Sequence, residues 1–445
     1  MDNRIYCGAS KVNITPSAEL LPWMFGLMDR HYCKVHDELF LRVLAFQSGE
    51  AKALIIVYDL DKATNPKEWT RRIEDETGVP ADNILYLAIH THTAPLTGYR
   101  PFEGPNFIER KASEVQEKVR EYETFLLEQL LEAVKTAINK LVPARFGYAR
   151  ESCDVGVNRC VRYDVKGEDG AVSPMMGLGC NIDGLADRTL LALRVENAET
   201  GVPIGFFINY AVHCVASFLN DCGDGKSFIS GDIGGAVSRA LEEECPGSVA
   251  LWTSAPAGDI NPVQMIQTFY PDLNTGAPVE RCIQGEDAAD AAISAMAGRQ
   301  LMSIRRALSG ITCNIDRGMI KAKVDWAKTK CSTSGIAVEG QICDEDYAIR
   351  THLLQIGPLA LIGVDGELYT SLGQAMKAAS PMADTFIINH DSSLLLNNPG
   401  YIADDVSIQR VKDCGGRGSI PGSRVYTAPG TVKAALEEST KRLFR

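Results

Sequence analysis

The sequence predicts an α/β fold: a mixed β-sheet core layered with helices, in a single large domain. Three observations carry that prediction. Apolar, β-rich runs recur along the chain at Ala53–Tyr58, Ile84–Ile89, Gly205–Val212, Val249–Trp252, Leu359–Val364 and Thr385–His390. Helical patterns lie between them, and strands interleaved with helices build layered α/β architectures. No internal repeat, low-complexity tract or Pro/Ser-rich linker divides the 445 residues.

Each element has its own justification. Ala53–Tyr58 and Ile84–Ile89 are continuous apolar runs of strand length, as expected of strands buried on both faces. Glu117–Leu141 carries Val119, Tyr122, Leu126, Leu130, Val134, Ile138 and Leu141 at helical spacing, with Pro143 just beyond. Asp232–Cys245 reads as a second helix stopped by Pro246, and Glu286–Leu308 as a third, rich in alanine. Pro429–Leu443 closes the chain as a helix, proline suiting a first helical turn. Asp164–Gly177 and Asp221–Ser227, rich in Gly and Asp, read as loops, and Lys330–Asp344 as a polar surface excursion.

Composition narrows the function. A 45% hydrophobic, 23% charged chain of this length buries a sizeable core. Its net charge of −12 argues against nucleic acid and anionic membrane surfaces as partners. No apolar stretch reaches the roughly 18 residues that span a bilayer, so no membrane insertion is expected. The N-terminus shows no secretory signal. The 13 cysteines are odd in number and include no Cys-x-x-Cys pair, which fits reduced thiols and a cytoplasmic location.

The chemistry concentrates at strand ends. Ile84–Ile89 runs into His90-Thr-His92, two of only seven histidines. On a strand, residues i and i+2 face the same side, which suits metal ligation, or a ligand beside an acid/base group. Other apolar runs also end in ligand-capable residues: Asn209–His213, Leu251–Asn261 by way of Asp259, Leu361–Glu367 by way of Asp365, and Ile387–His390, which leads to Asn398-Pro-Gly-Tyr401. In open α/β sheets sites gather at the carboxyl ends of strands. Histidine nitrogens and carboxylate oxygens suit zinc, and a catalytic zinc site leaves one position for water. No cysteine cluster or HExxH helix offers a rival site.

Several residues invite a structural role instead. Cys214 follows His213 and would point to the opposite face of a strand. Ser254 lacks a Gly-x-Ser-x-Gly elbow. His352 and His390 read as buried, hydrogen-bonded structural residues, although His390 ends a strand and could face the site, and Asp232 and Asp259 read as caps or turn holders. His31 or His36 could line a substrate pocket.

The order and wording of these segments resemble the neutral (non-lysosomal) ceramidase family, in its zinc-bearing catalytic domain. The likeness runs through Gly8–Pro16, His36–Arg42, His90-Thr-His92-Thr-Ala-Pro95, Val157-Asn-Arg159, Asn209–His213, Ser230-Gly-Asp232, Gly258-Asp-Ile-Asn-Pro262, Gly366-Glu367 and Gly400-Tyr401. It implies one zinc ion per chain, held by His90, His213, Glu367 and Tyr401. It implies that His92 is a non-ligand histidine that helps in catalysis, and that Arg159 lies near the site. Where the family carries a serine often given a catalytic role, this chain has Asn261. An amide is no nucleophile, so Asn261 is expected to hydrogen-bond substrate or an oxyanion. The chain is expected to form that catalytic domain over residues 1–445, without the family's C-terminal β-sandwich domain.

The expected activity is hydrolysis of an amide (C–N) bond in a small, soluble substrate by metal-activated water. The same chemistry serves an ester, a lactone or a cyclic amide. The reading from a different class is a catalytically silent protein that binds a small ligand. The sequence leaves the oligomeric state open.

Overall fold

The computed structural model describes residues 3–98, 108, 110–332, 345–391, 400–418, 426–428 and 430–445. Eight strands form the larger sheet, in spatial order Val249–Ser254, Pro203–Tyr210, Thr189–Asn197, Val142–Ser152, Ile5–Asn13, Phe40–Ser48, Ala51–Tyr58 and Ile84–Ala88. The last pair at each edge is parallel and every other pair is antiparallel. A five-stranded sheet follows the order Thr385–Ile388, Leu359–Val364, Glu345–Ile356, Ile320–Ser332 and Tyr426–Thr427, with only its first pair parallel.

The period of two along each strand assigns residues to layers. Leu41, Val43, Ala45, Leu54, Ile56 and Tyr58 pack with Val119, Tyr122, Leu126 and Leu130 of the helix Ser113–Asn139. The residues between them, Leu44, Phe46, Ile55 and Val57, share a core with Leu359, Leu361, Phe386 and Ile388 of the smaller sheet. That sheet's other face, Ala360, Ile362 and Val364, meets Leu372 and Met376 of Thr370–Ala379 and Val432 and Leu436 of Thr431–Leu443. The order is therefore helix, sheet, sheet, helix. Among the described residues no helix is long and apolar enough to cross a membrane.

The structure corrects several local expectations. Asp164–Gly177 is no loop but the turn and inner halves of a hairpin, Gly156–Lys166 with Val172–Asn181. Exposed Arg162, Asp164 and Lys166 alternate with more buried neighbours there, so half of the pattern looks like loop composition. Ile320–Ser332 escaped notice for the same reason, because exposed Lys321, Lys323, Lys328 and Lys330 interrupt its apolar residues. The helix expected from Glu117 starts a turn earlier, at Ser113. Pro429, Asn398 and residues 333–344 of the expected excursion lie outside the described residues. The eleven cysteines with described side chains are free thiols.

One ion cluster ties the larger sheet to the helix Asp232–Glu244. Arg42, 1% exposed, donates through Nη1 to both Asp59 oxygens at 2.9 and 2.8 Å and through Nε to Glu242 Oε1 at 2.7 Å. Removing the cation would leave the Asp59 carboxylate in the interior without its ion pair and Glu242 with Lys11 alone, at 2.9 Å. Breaking a buried pair in this way costs about 3–5 kcal/mol. Arg42→Met is therefore expected to lower the unfolding free energy by about that amount, read from chemical denaturation. A loss under about 1 kcal/mol would contradict the assignment.

Candidate metal centre

The ligand-capable residues stand beyond the carboxyl ends of the parallel pairs at the edges of the two sheets. Strand Ile84–Ala88 is buried throughout. After Ile89 the chain turns: His90 has φ 61° and its N–H donates to Leu60 O at 3.0 Å. Left-handed backbone is unusual for a residue other than glycine. The two histidines thus do not continue the strand, contrary to the sequence expectation. Their rings stand at 89° with centroids 4.7 Å apart, and their Nε2 atoms lie 3.1 Å apart.

His213 lies three residues beyond the strand Pro203–Tyr210. Its Nδ1 faces Ile260 O at 3.0 Å, while His90 Nδ1 faces Asp61 O and Asp61 Oδ1, both at 3.0 Å. Carbonyl oxygens only accept, so each Nδ1 is the donor and each Nε2 turns inward, where it offers a lone pair when the ring is neutral. This is the usual outer support of a metal-binding histidine. Asp232 secures the chain just after His213, accepting from Ala216 N, Ser217 N and Ser217 Oγ.

The smaller sheet supplies the carboxylate. Gly366 takes φ 142°, and the chain then enters the two-residue strand Glu367–Leu368, parallel to Tyr401–Ile402. Glu367 Oε2 lies 3.2 Å from His90 Nε2 and 3.3 Å from His213 Nε2. The Tyr401 hydroxyl lies 3.0 Å from His213 Nε2. All four residues that the resemblance implies as ligands therefore converge, with His92 beside them.

The donor set fits a metal ion. The three separations between these donors, 3.0 to 3.3 Å, are of the size expected of nitrogen and oxygen ligands that share one ion at about 2.0–2.2 Å, with water as a further ligand. Two ligand-capable groups occur among the described residues, His90/His92/His213 and His90/Glu367/His390. Electrostatics agree. Burial opposes a charge on His90, but the Glu367 and Asp61 carboxylates outweigh it and lift its pKa to about 10. Burial, with Arg159 nearby, presses His213 down to about 4. Burial also acts against the Glu367 charge, yet the neighbouring rings hold it well below the ordinary carboxylate range. A buried anionic charge that draws a proton onto a ligand ring is the charge a cation would balance.

Arg159 and Asn261 form the adjoining wall. Arg159 donates from Nη1 to Asn261 Oδ1 at 3.2 Å and from Nη2 to Gly258 O at 2.7 Å, and its guanidinium lies 5.1 Å from the Tyr401 ring centroid. With Oδ1 accepting from Arg159, the amide NH2 of Asn261 is the end left to donate. Asp259 accepts from Thr370 N and Thr370 Oγ1, both at 2.8 Å, so it holds the start of the helix Thr370–Ala379.

Other candidates lie elsewhere. His36 pairs with Asp37 and stacks on Phe228. His352 bridges Asp391 and Asp82 O. Ser254 Oγ donates to the carbonyls of Val212 and Ala255. The Cys214 sulfur faces Gly234 of the helix Asp232–Glu244. The sequence reading missed Asp61, although Tyr58-Asp-Leu-Asp61 shows the same pattern of a strand ending in polar residues. His390, read as a buried structural residue that could face the site, is buried and stacks on His90.

No protein-family model matches the chain, and no curated protein matches it. Solved structures do. The chain superposes on the neutral ceramidase from Pseudomonas aeruginosa with a TM-score of 0.71 at 14% identity, over 100% of this chain and 74% of that one. It matches a structure described as ceramidase complexed with C2 equally well, at TM-score 0.71 and 14% identity, over 99% and 75% of the two chains. The chain thus has a neutral ceramidase-like fold.

Proposed function

We propose that this protein is a metal-dependent hydrolase that cleaves an amide bond of a small, soluble substrate, with zinc held by His90, His213, Glu367 and Tyr401. The observation that carries the reading is the convergence of two ring nitrogens, a carboxylate oxygen and a phenol oxygen at separations of 3.0 to 3.3 Å. The solved structures sharing the fold are ceramidases by name, and a ceramidase breaks an amide. The acidic composition favours a small soluble substrate over an anionic surface.

A bound zinc ion supplies a more acidic water and a polarised carbonyl at neutral pH. The remaining work falls to the chain. His92 stands beside the cluster with its Nε2 3.1 Å from His90 Nε2, and its Nδ1 is buried with no hydrogen-bond partner among the described residues. An imidazole there can take the proton of the attacking water and pass it to the departing amine. Phe218 meets its ring edge-on at 5.0 Å between centroids, which fixes the ring plane. Arg159 orients Asn261, whose NH2 can donate to the oxygen that gains charge when the carbonyl is attacked. Asn261 also means that no acyl group passes through that position, so water is the nucleophile.

Purified protein is expected to hold about one zinc per chain by elemental mass spectrometry, and His90→Ala and Glu367→Gln to lose it. Absence of metal from the parent after zinc reconstitution would end the reading. In a screen of small amides, chelation is expected to abolish hydrolysis and zinc to restore it. His92→Ala is expected to keep its metal while kcat falls about 10²–10⁴-fold. Full turnover by protein shown to be free of metal would refute the mechanism, and turnover confined to esters or lactones would redirect the substrate class.

A further inference from the structure

His390 is the part of this centre that neither the motifs nor the proposed ligand set accounts for. It lies two residues beyond the strand Thr385–Ile388, is 1% exposed, and has φ 64°. His90, at the end of a strand in the other sheet, has φ 61°. These two left-handed turns bring the rings face to face, with centroids 3.9 Å apart and planes 17° from parallel. A ligand-capable atom of His390 comes within 4.8 Å of those of His90 and Glu367.

Proximity suggests a ligand, but the ring geometry argues otherwise. A metal ion lies close to the plane of each imidazole that binds it. Two rings stacked nearly parallel have separate planes, so one ion cannot lie in both. What His390 does instead is cover one face of His90. Asp61 already holds the Nδ1 edge of that ring. With a face and an edge both fixed, the His90 ring has one orientation, and its Nε2 points to Glu367.

We propose that His390 is a positioning residue for the metal centre, one that sets the plane of the His90 ring by stacking and not by ligation. This rests on the metal-centre reading above. The flat face, and not a bond from nitrogen to metal, is the working feature in this proposal. A phenyl ring should therefore replace it, and a methyl group should not. Outer residues that orient a ligand typically change metal affinity about 10- to 100-fold when removed.

The test is zinc affinity, by competition with a chromophoric chelator, in the parent, His390→Phe and His390→Ala. Cobalt(II) spectra of all three report the ligand geometry. His390→Phe is expected to bind within about threefold of the parent with the parent's cobalt spectrum. His390→Ala is expected to bind about 10- to 100-fold more weakly, with a shifted spectrum. If His390→Phe loses affinity and changes its spectrum, a nitrogen is needed and the proposal is overturned in favour of ligation. If His390→Ala binds as the parent does, the stack has no bearing on the metal and the proposal also fails. Should His390→Ala not fold, the His390→Phe result alone still separates stacking from ligation. A parent that holds no metal would instead defeat the metal-centre reading itself, which distinguishes the two failures.

Discussion

A buried carboxylate beside two histidine rings is the constraint on which the rest of this structure depends. Glu367 is 3% exposed, and its Oε2 lies 3.2 and 3.3 Å from two ring nitrogens. A charge in such a place is tolerated only when it is paired. The fold provides the pairing by bringing together elements from both sheets. His90 leaves one edge strand of the larger sheet, His213 leaves the strand next to the opposite edge, and Glu367 leaves the smaller sheet. The two sheets share a core, so the relation between their strand ends is as rigid as the packing of Leu44, Phe46, Ile55 and Val57 against Leu359, Leu361, Phe386 and Ile388.

The backbone is bent to the same end. Left-handed conformations at His90, Asp232 and His390 each carry a steric penalty in a residue with a Cβ. Such strain persists where the surroundings over-determine it and tends to collect at functional sites. Here each strained residue has anchors. His90 N–H bonds Leu60 O, Asp232 accepts three hydrogen bonds from residues 216 and 217, and His390 N–H bonds Gly366 O. At His90 and His390 the strain releases the chain from its strand direction and turns the ring to the centre, and at Asp232 it turns the carboxylate to the segment that follows His213.

Fold and chemistry separate at Asn261. The chain has a neutral ceramidase-like fold at 14% identity, and a fold can host several chemistries because function resides in the site. At this position the chain presents an amide, which offers hydrogen bonds and no nucleophilic hydroxyl. Arg159 holds the amide oxygen, so the residue is built into the wall and not merely tolerated there.

The sequence alone determined the fold class and the places where chemistry gathers. Continuous apolar runs such as Ala53–Tyr58 and Leu359–Val364 announce buried strands because both their faces must be dry. Polar residues directly after such runs announce a site, because a sheet presents its loops at strand ends. The half-exposed strands were harder to read. Ile320–Ser332 and the Gly156–Lys166 hairpin alternate charged and apolar residues, and over a few residues that pattern resembles a loop. Tertiary structure alone decided which residues meet. His90 and His390 stand 300 positions apart, and the stacking of their rings depends on two backbone turns and on how two sheets pack. Distances of 3 Å between residues of different sheets follow from the sum of all those contacts, which no local pattern encodes.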